Sequence, residues 1–139
     1  LALEGIAKLV PHVHVFSLNN ADFSRDPEHV ERMNNDPYIH KESQPAETAR
    51  VMLLAADALK EHFPSFRAPV LILHGTEDKA TRPEGSQYFY DNAASSDKTL
   101  KLYEGHYHDL LADIDKEKVI ADILAWLSER VPAGTAARA

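Results

Sequence analysis

Val70-Leu71-Ile72-Leu73 runs directly into His74-Gly75-Thr76-Glu77-Asp78-Lys79, and this stretch decides the fold. Four consecutive apolar residues without polar alternation describe a strand covered on both faces, as in a parallel sheet. The turn-rich residues 75–82 lead into a helix opened by Pro83-Glu84 and running to about Ala94. Residues 99–103 read as a second short strand, and residues 104–113 as a second loop. In the last helix Val119, Ile120, Ile123, Leu124, Leu127 and Val131 recur at helical spacing, with Asp115 as the expected cap. Strand, loop and helix repeated twice predict an α/β fold. Its two strands are expected to be parallel neighbours joined by a right-handed crossover. Two strands alone leave unpaired edges, so this sheet needs further strands or a partner.

Upstream, residues 47–63 are rich in helix formers, with Val51, Leu54, Ala55, Ala58 and Leu59 on one face, and Pro64 closes the segment. Leu1, Leu3, Ile6, Leu9 and Val10 have near-helical spacing that Pro11 stops. Asp26-Pro27 reads as N-cap and N1 of a short helix to about Met33. Otherwise residues 13–42 form an irregular, partly helical excursion, in which His12 and His14 alternate with Val13 as in a strand or lid. The small-residue tail 132–139 is expected to be mobile.

Composition narrows the function. The 139 residues carry a net charge of −7, which disfavours nucleic acid and anionic lipid surfaces. With no cysteine there are no disulfides, thiol nucleophiles or thiolate metal sites. The length suits one domain with a real core. No apolar run approaches the roughly 20 residues of a membrane span. A chain that starts at Leu1 without a charged, apolar leader reads as a processed product or a piece of a longer chain. Its expected location is the cytoplasm.

In open parallel sheets functional groups gather in the loops past the carboxyl ends of the strands. Here the first loop holds Glu77 and Asp78, and the second holds Glu104-Gly105-His106-Tyr107-His108-Asp109. An acid after one strand and a histidine after the next can form an Asp–His pair, in which the carboxylate fixes the imidazole tautomer and stabilises the imidazolium. Spacing leaves Glu77 and His106 as competitors, and solvated loop residues as the plain alternative. His74 reads as a hydrogen-bonded structural histidine. His106, His108 and Asp109 form only a weak metal pattern. His29, His40 and His62 read as solvated.

The string Ala68-Pro69-Val70-Leu71-Ile72-Leu73-His74-Gly75-Thr76-Glu77-Asp78-Lys79 resembles the acid-bearing segment of the α/β-hydrolases, and so does the following Pro83-Glu84-Gly85-Ser86. Residues 97–111, which include Glu104-Gly105-His106-Tyr107-His108-Asp109, resemble the histidine-bearing segment of that fold. The nearest group is the monoacylglycerol lipase and lysophospholipase set, the serine aminopeptidase-like hydrolases. Phe23-Ser24-Arg25-Asp26-Pro27-Glu28 and Asp36-Pro37 are similar, more loosely, to its cap. By position, the resemblance makes Asp78 the triad acid and His108 the general base, with His106 a solvent or cap contact.

The resemblance further implies a cap segment at 1–46 and the C-terminal part of a hydrolase core at 47–131. No G-x-S-x-G elbow occurs in the sequence, and Ser86 lacks its second glycine and follows the acid. The expected reading is therefore the C-terminal half of a serine hydrolase that cleaves a lysophospholipid or monoacylglycerol ester. Its serine and oxyanion hole would lie outside this chain. Leu1, Ile6, Leu9, Val10, Val13, Val15 and Phe16 are candidates for an acyl-chain roof, or for ordinary packing. No metal or organic cofactor is implied. The rival expectation is an inactive binding or assembly module, with the missing half or a second copy as partner.

Overall fold

The computed structural model of the chain describes residues 2–39 and 43–131. The elements are α1 (Ala2–Leu9), β1 (His14–Ser17), α2 (Pro27–Asn35), β2 (Ser43–Pro45), α3 (Ala46–His62), β3 (Val70–Gly75), α4 (Pro83–Asn92), β4 (Lys98–Tyr103) and α5 (Lys116–Ser128). Leu1, His40 and the tail at 132–139, for which a roof position, solvation and mobility are expected, lie outside the described residues.

β3 and β4 are parallel neighbours, in register from Val70 opposite Lys98 to Gly75 opposite Tyr103. α4 connects them and packs on both strands. Its start needs no side-chain cap, since Pro83 in the first turn brings a preset φ and no N–H to satisfy. α5 is tied to β4 through Asp122, which accepts hydrogen bonds from Lys101 Nζ at 2.6 Å and the Tyr103 hydroxyl at 2.9 Å. At its far end Arg130 holds Asp97 through two contacts of 2.5 and 2.8 Å and lies 3.9 Å over the Trp126 ring. The expected cap of α5 is only half right. Asp115 occupies the N-cap position, but in the left-handed region at φ 65°, and its carboxylate makes no capping bond. The cap at α2 is as expected, with the Asp26 carboxylate accepting the Glu28 N–H at 2.9 Å.

The region expected to be irregular contains β1, and its antiparallel partner β2 follows directly after it. β1 lies against β2 with a bulge between His14 and Phe16. The carbonyls of Val13 and Pro11 then accept the Ala46 and Glu47 N–H groups at 2.7 and 3.1 Å, so distant backbone finishes the start of α3. α1 packs on α3, where the small residues Ala7, Ala46 and Ala49 are buried.

The core is thinner than the length allows. Among the described residues the buried apolar ones are Ala7, Ala46, Ala49, Ala93, Tyr103 and Val119. The apolar stripe expected on α3 is exposed, with Val51, Leu54 and Leu59 about half accessible, and so are Ile120, Leu124 and Leu127 of α5. The chain exposes 9718 Å², against about 7,200 Å² for a compact monomer of this mass. The reason is geometric: two parallel strands and one crossover helix cannot cover both faces and both edges of such a sheet.

Gly75 ends β3 against the second loop. A Cβ there would stand 2.2 Å from the His106 carbonyl oxygen and 2.4 Å from that of Tyr107, whereas nothing lies within 4 Å of a Cβ at Gly85 in α4. Gly75→Ala is therefore expected to lower stability by about 3 kcal/mol. Gly85→Ala should instead raise it by about 0.5 kcal/mol. Urea titrations of the two variants beside the parent chain check this, and equal effects would refute it.

Candidate active site

Past the strands the two loops stay side by side. The Thr76 N–H reaches the Tyr103 carbonyl and the Glu77 N–H the His106 carbonyl, each at 3.0 Å. The Gly105 N–H donates to Thr76 Oγ at 2.8 Å, and Gly105 adopts φ 72°, a turn that a side chain would strain. Continued pairing of this kind carries Asp78 and His108 toward one another.

Asp78 is close to fully buried, with 3% of its side chain exposed. Its Oδ1 accepts the Ala80 and Thr81 N–H groups, each at 2.8 Å. Its Oδ2 accepts the Thr81 hydroxyl at 2.8 Å and faces His108 Nδ1 at 2.8 Å. Burial alone raises the carboxyl; the Thr81 N–H, His108, the Thr81 hydroxyl and the Ala80 N–H outweigh it and bring it down to about 2. An ionised Asp78 on Nδ1 selects the His108 tautomer whose Nε2 accepts a proton. The His108 ring is a third exposed and meets Phe23 edge-on, with centroids 5.2 Å apart at 88°. Of the four candidates, the structure joins Asp78 and His108. Glu77 is exposed.

His106 corrects one expectation. Instead of meeting solvent it is buried, its ring 5.5 Å from that of Tyr103 and its Nδ1 3.2 Å from the Glu104 carbonyl. Among the described residues its Nε2 has no hydrogen-bond partner. His29 is not simply solvated either, since its Nε2 lies 3.2 Å from Asp109 Oδ2. His74, read as a bonded structural histidine, contacts Ser86 Oγ at 2.7 Å and Asp78 Oδ2 at 3.0 Å. Among the described residues no group of three or more His, Asp or Glu side chains is arranged to hold a metal ion.

The sequence reading gave no role to Asp113. This carboxylate is fully buried and accepts the Arg25 N–H at 2.7 Å, Arg25 Nε at 2.9 Å and the Tyr107 N–H at 2.9 Å. Burial raises its carboxyl, and the Tyr107, Arg25 and Ile114 N–H groups with the Arg25 guanidinium hold it below the usual range. Ser24 and Arg25 are thereby locked to the loop that carries His108. The Phe23 carbonyl adds a bond from the Asp109 N–H at 2.8 Å. Phe23 also walls a hollow of 180 Å³ shared with Leu18, Met33 and Ile39. On the other flank His108 borders an open hollow of 440 Å³ lined by Leu73, Leu110, Leu111, Val119 and Ile123.

A model of the serine aminopeptidase S33 family matches residues 1–115. The chain belongs to this family. It is 32% identical over 122 residues to the monoacylglycerol lipase of Mycolicibacterium smegmatis, covering 88% of this chain and 44% of that protein. With the caffeoylshikimate esterase of Arabidopsis thaliana it shares 36% identity over 110 residues, 77% of this chain and 33% of that one. The crystal structure of the Paleococcus ferrophilus monoacylglycerol lipase superposes with a TM-score of 0.82 at 26% identity, covering 94% of this chain and 51% of that one. The S33 chain thus has the α/β-hydrolase fold and spans about half or less of the length of these relatives. Among its described residues no helix is long and apolar enough to cross a membrane.

The Asp78 carboxyl titrates near 2 in the folded S33 chain against an ordinary value of 3.8. A lowered folded value means that ionised Asp78 favours the folded state above about pH 4, and that this support vanishes as pH falls through 2. It amounts to about 2 kcal/mol. The stability gap between the parent chain and Asp78→Asn, measured in urea, should narrow by about that amount as pH falls from about 5 to 2. A gap that stays constant over the whole range would contradict the geometry described here.

Proposed function

We propose that this S33 chain supplies the acid and general base of a serine hydrolase acting on carboxylic esters of the monoacylglycerol or lysophospholipid kind. The carrying observation is the 2.8 Å contact of Asp78 with His108, on loops that follow adjacent parallel strands. In the proposed reaction a serine hydroxyl from polypeptide outside the given sequence attacks the ester carbonyl. His108 Nε2 takes the serine proton and returns it to the departing alkoxide, leaving an acyl-enzyme and a free alcohol. His108 then takes a proton from water, whose oxygen attacks the acyl carbon, and gives it back to the serine as the carboxylic acid leaves. Asp78 stays ionised throughout and stabilises the imidazolium. These steps balance without a cofactor.

In this reading residues 1–46 form the cap and residues 47–131 belong to the catalytic core. The names of the lipase relatives and the exposed apolar residues Ile6, Leu9, Val10, Val13, Val15 and Phe16 support an acyl-chain roof over the site. The hollow beside Phe23 adds Leu18, Met33 and Ile39 to the candidates. The rival reading, an inactive assembly module, gives Asp78 and His108 no task.

The purified chain is expected to take no label from a serine-directed fluorophosphonate and to leave a short-chain aryl ester intact. A longer protein that includes this chain and a G-x-S-x-G elbow should do both. In that protein His108→Ala and Asp78→Ala should each cut kcat by about a thousandfold or more with little change in KM. Stoichiometric labelling of a serine within this chain, or full turnover in His108→Ala, would overturn the proposal.

A further inference from the structure

One contact to the Asp78 carboxylate has no place in the mechanism above. His74 Nε2 lies 3.0 Å from Asp78 Oδ2, the same oxygen that His108 Nδ1 faces at 2.8 Å. On the other side of the His74 ring, Nδ1 lies 2.7 Å from Ser86 Oγ. The His74 side chain is 11% exposed, so little water competes for either nitrogen. Between the two imidazoles stands the Thr81 hydroxyl, 3.4 Å from His74 Nε2 and 3.5 Å from His108 Nδ1.

Proton accounting limits what this arrangement can be. An ionised carboxylate only accepts, and the single Thr81 hydroxyl proton points to Asp78 Oδ2 at 2.8 Å. His74 meets that oxygen favourably only if its Nε2 carries hydrogen. In a neutral ring Nδ1 then bears the lone pair, and the Ser86 hydroxyl is the donor it faces. Asp78 thus selects the His74 tautomer and the Ser86 hydroxyl completes it, so the N–H edge of the His74 ring lies against the oxygen used by His108. Ser86 is not read as a nucleophile, because it lies within α4 and not on a G-x-S-x-G turn.

We propose that His74 and Ser86 are positioning residues, a second limb on the Asp78 carboxylate that fixes the orientation and charge of the oxygen facing His108. The inference rests on reading Asp78 and His108 as acid and base. The two N–H groups of Ala80 and Thr81 hold Oδ1, the Thr81 hydroxyl holds Oδ2, and His74 Nε2 closes on Oδ2 at 3.0 Å as a charge–dipole contact. The positive N–H edge of the ring, 3.0 Å away, offsets part of the charge on Oδ2. Without it, more of that charge acts on His108, the imidazolium is better stabilised, and His108 titrates higher. Among the other charged groups near the two loops, Lys79 meets Asp22 at 3.2 Å, Asp109 meets His29 at 3.2 Å and Arg25 meets Asp113 at 2.9 Å, while Glu77, Arg82 and Glu104 are exposed.

The test is long-range proton–nitrogen correlation of the histidine rings in the ¹⁵N-labelled chain, followed across pH. In the parent chain His108 should carry its neutral-state proton on Nδ1 and His74 on Nε2. His74→Leu should raise the His108 midpoint by about half a pH unit or more. His74→Gln keeps an amide donor at the position of Nε2 and should bring the midpoint back to the parent value. Ser86→Ala should loosen the His74 ring without changing its tautomer, and raise the His108 midpoint by a smaller amount. Equal shifts in His74→Leu and His74→Gln would show that the ring only packs, and would overturn the inference. An unmoved His108 in all three variants would do the same. If His74→Leu does not fold, Ser86→Ala decides: an unmoved His108 sinks the idea. A parent His108 protonated on Nε2 would instead defeat the acid–base reading, and this inference would fall with it. A parent His108 protonated on Nδ1 but indifferent to His74 ends the inference alone.

Discussion

The close approach of two backbones at Gly75 is the constraint on which the rest of the site depends. A single added carbon there would sit 2.2 Å from the His106 carbonyl oxygen. Because no side chain intervenes, the Thr76 and Glu77 N–H groups can reach the Tyr103 and His106 carbonyls, and the parallel pairing of β3 and β4 continues into their loops. Irregular loops become as well defined as strands. An acid three residues past Gly75 and a histidine two residues past His106 then meet at 2.8 Å.

Two buried carboxylates finish what that contact begins, and both are stabilised in the same way. Asp78 and Asp113 are each surrounded by donors that outweigh the cost of burial, so both remain ionised and directional. Their reach differs. Asp78 organises its own loop and the two imidazoles, His74 and His108. Asp113 joins the loop after β4 to Ser24 and Arg25, nearly ninety residues earlier in the chain. Through that link Phe23 is brought edge-on to His108. The segment proposed as a cap is thereby held to the loop that carries His108 by a buried ionic contact rather than by an extensive apolar interface.

The apolar surface points to a different kind of dependence. α3 leaves Val51, Met52, Leu53 and Leu54 accessible around its circumference, and α5 leaves Ile120, Leu124 and Leu127. A helix apolar on several sides belongs among other elements, and the relatives are about twice as long as this chain or longer. The site loops, by contrast, are satisfied by contacts within the chain. Local order of Asp78 and His108 is thus separable from completion of the hydrophobic core.

The sequence by itself determined the parallel pair and its crossover, because the run at 70–73 and the helix opened by Pro83 are local signals that nothing distant needs to complete. It also narrowed the acid–base question to Asp78 or Glu77 with His108 or His106, since loop position follows from strand ends. What it could not contain were contacts whose partners lie far apart. β2 is three residues, Ser43-Gln44-Pro45, with neither alternation nor β-branching, and it exists because β1 lies beside it. The helical stripe on α3 was legible as a pattern, but burial depends on what packs against it, and little does. Asp113 and His29 look like ordinary polar residues in sequence. Only the tertiary structure gave them roles, because a hydrogen bond needs a partner within about 3 Å, and a linear sequence does not encode that distance.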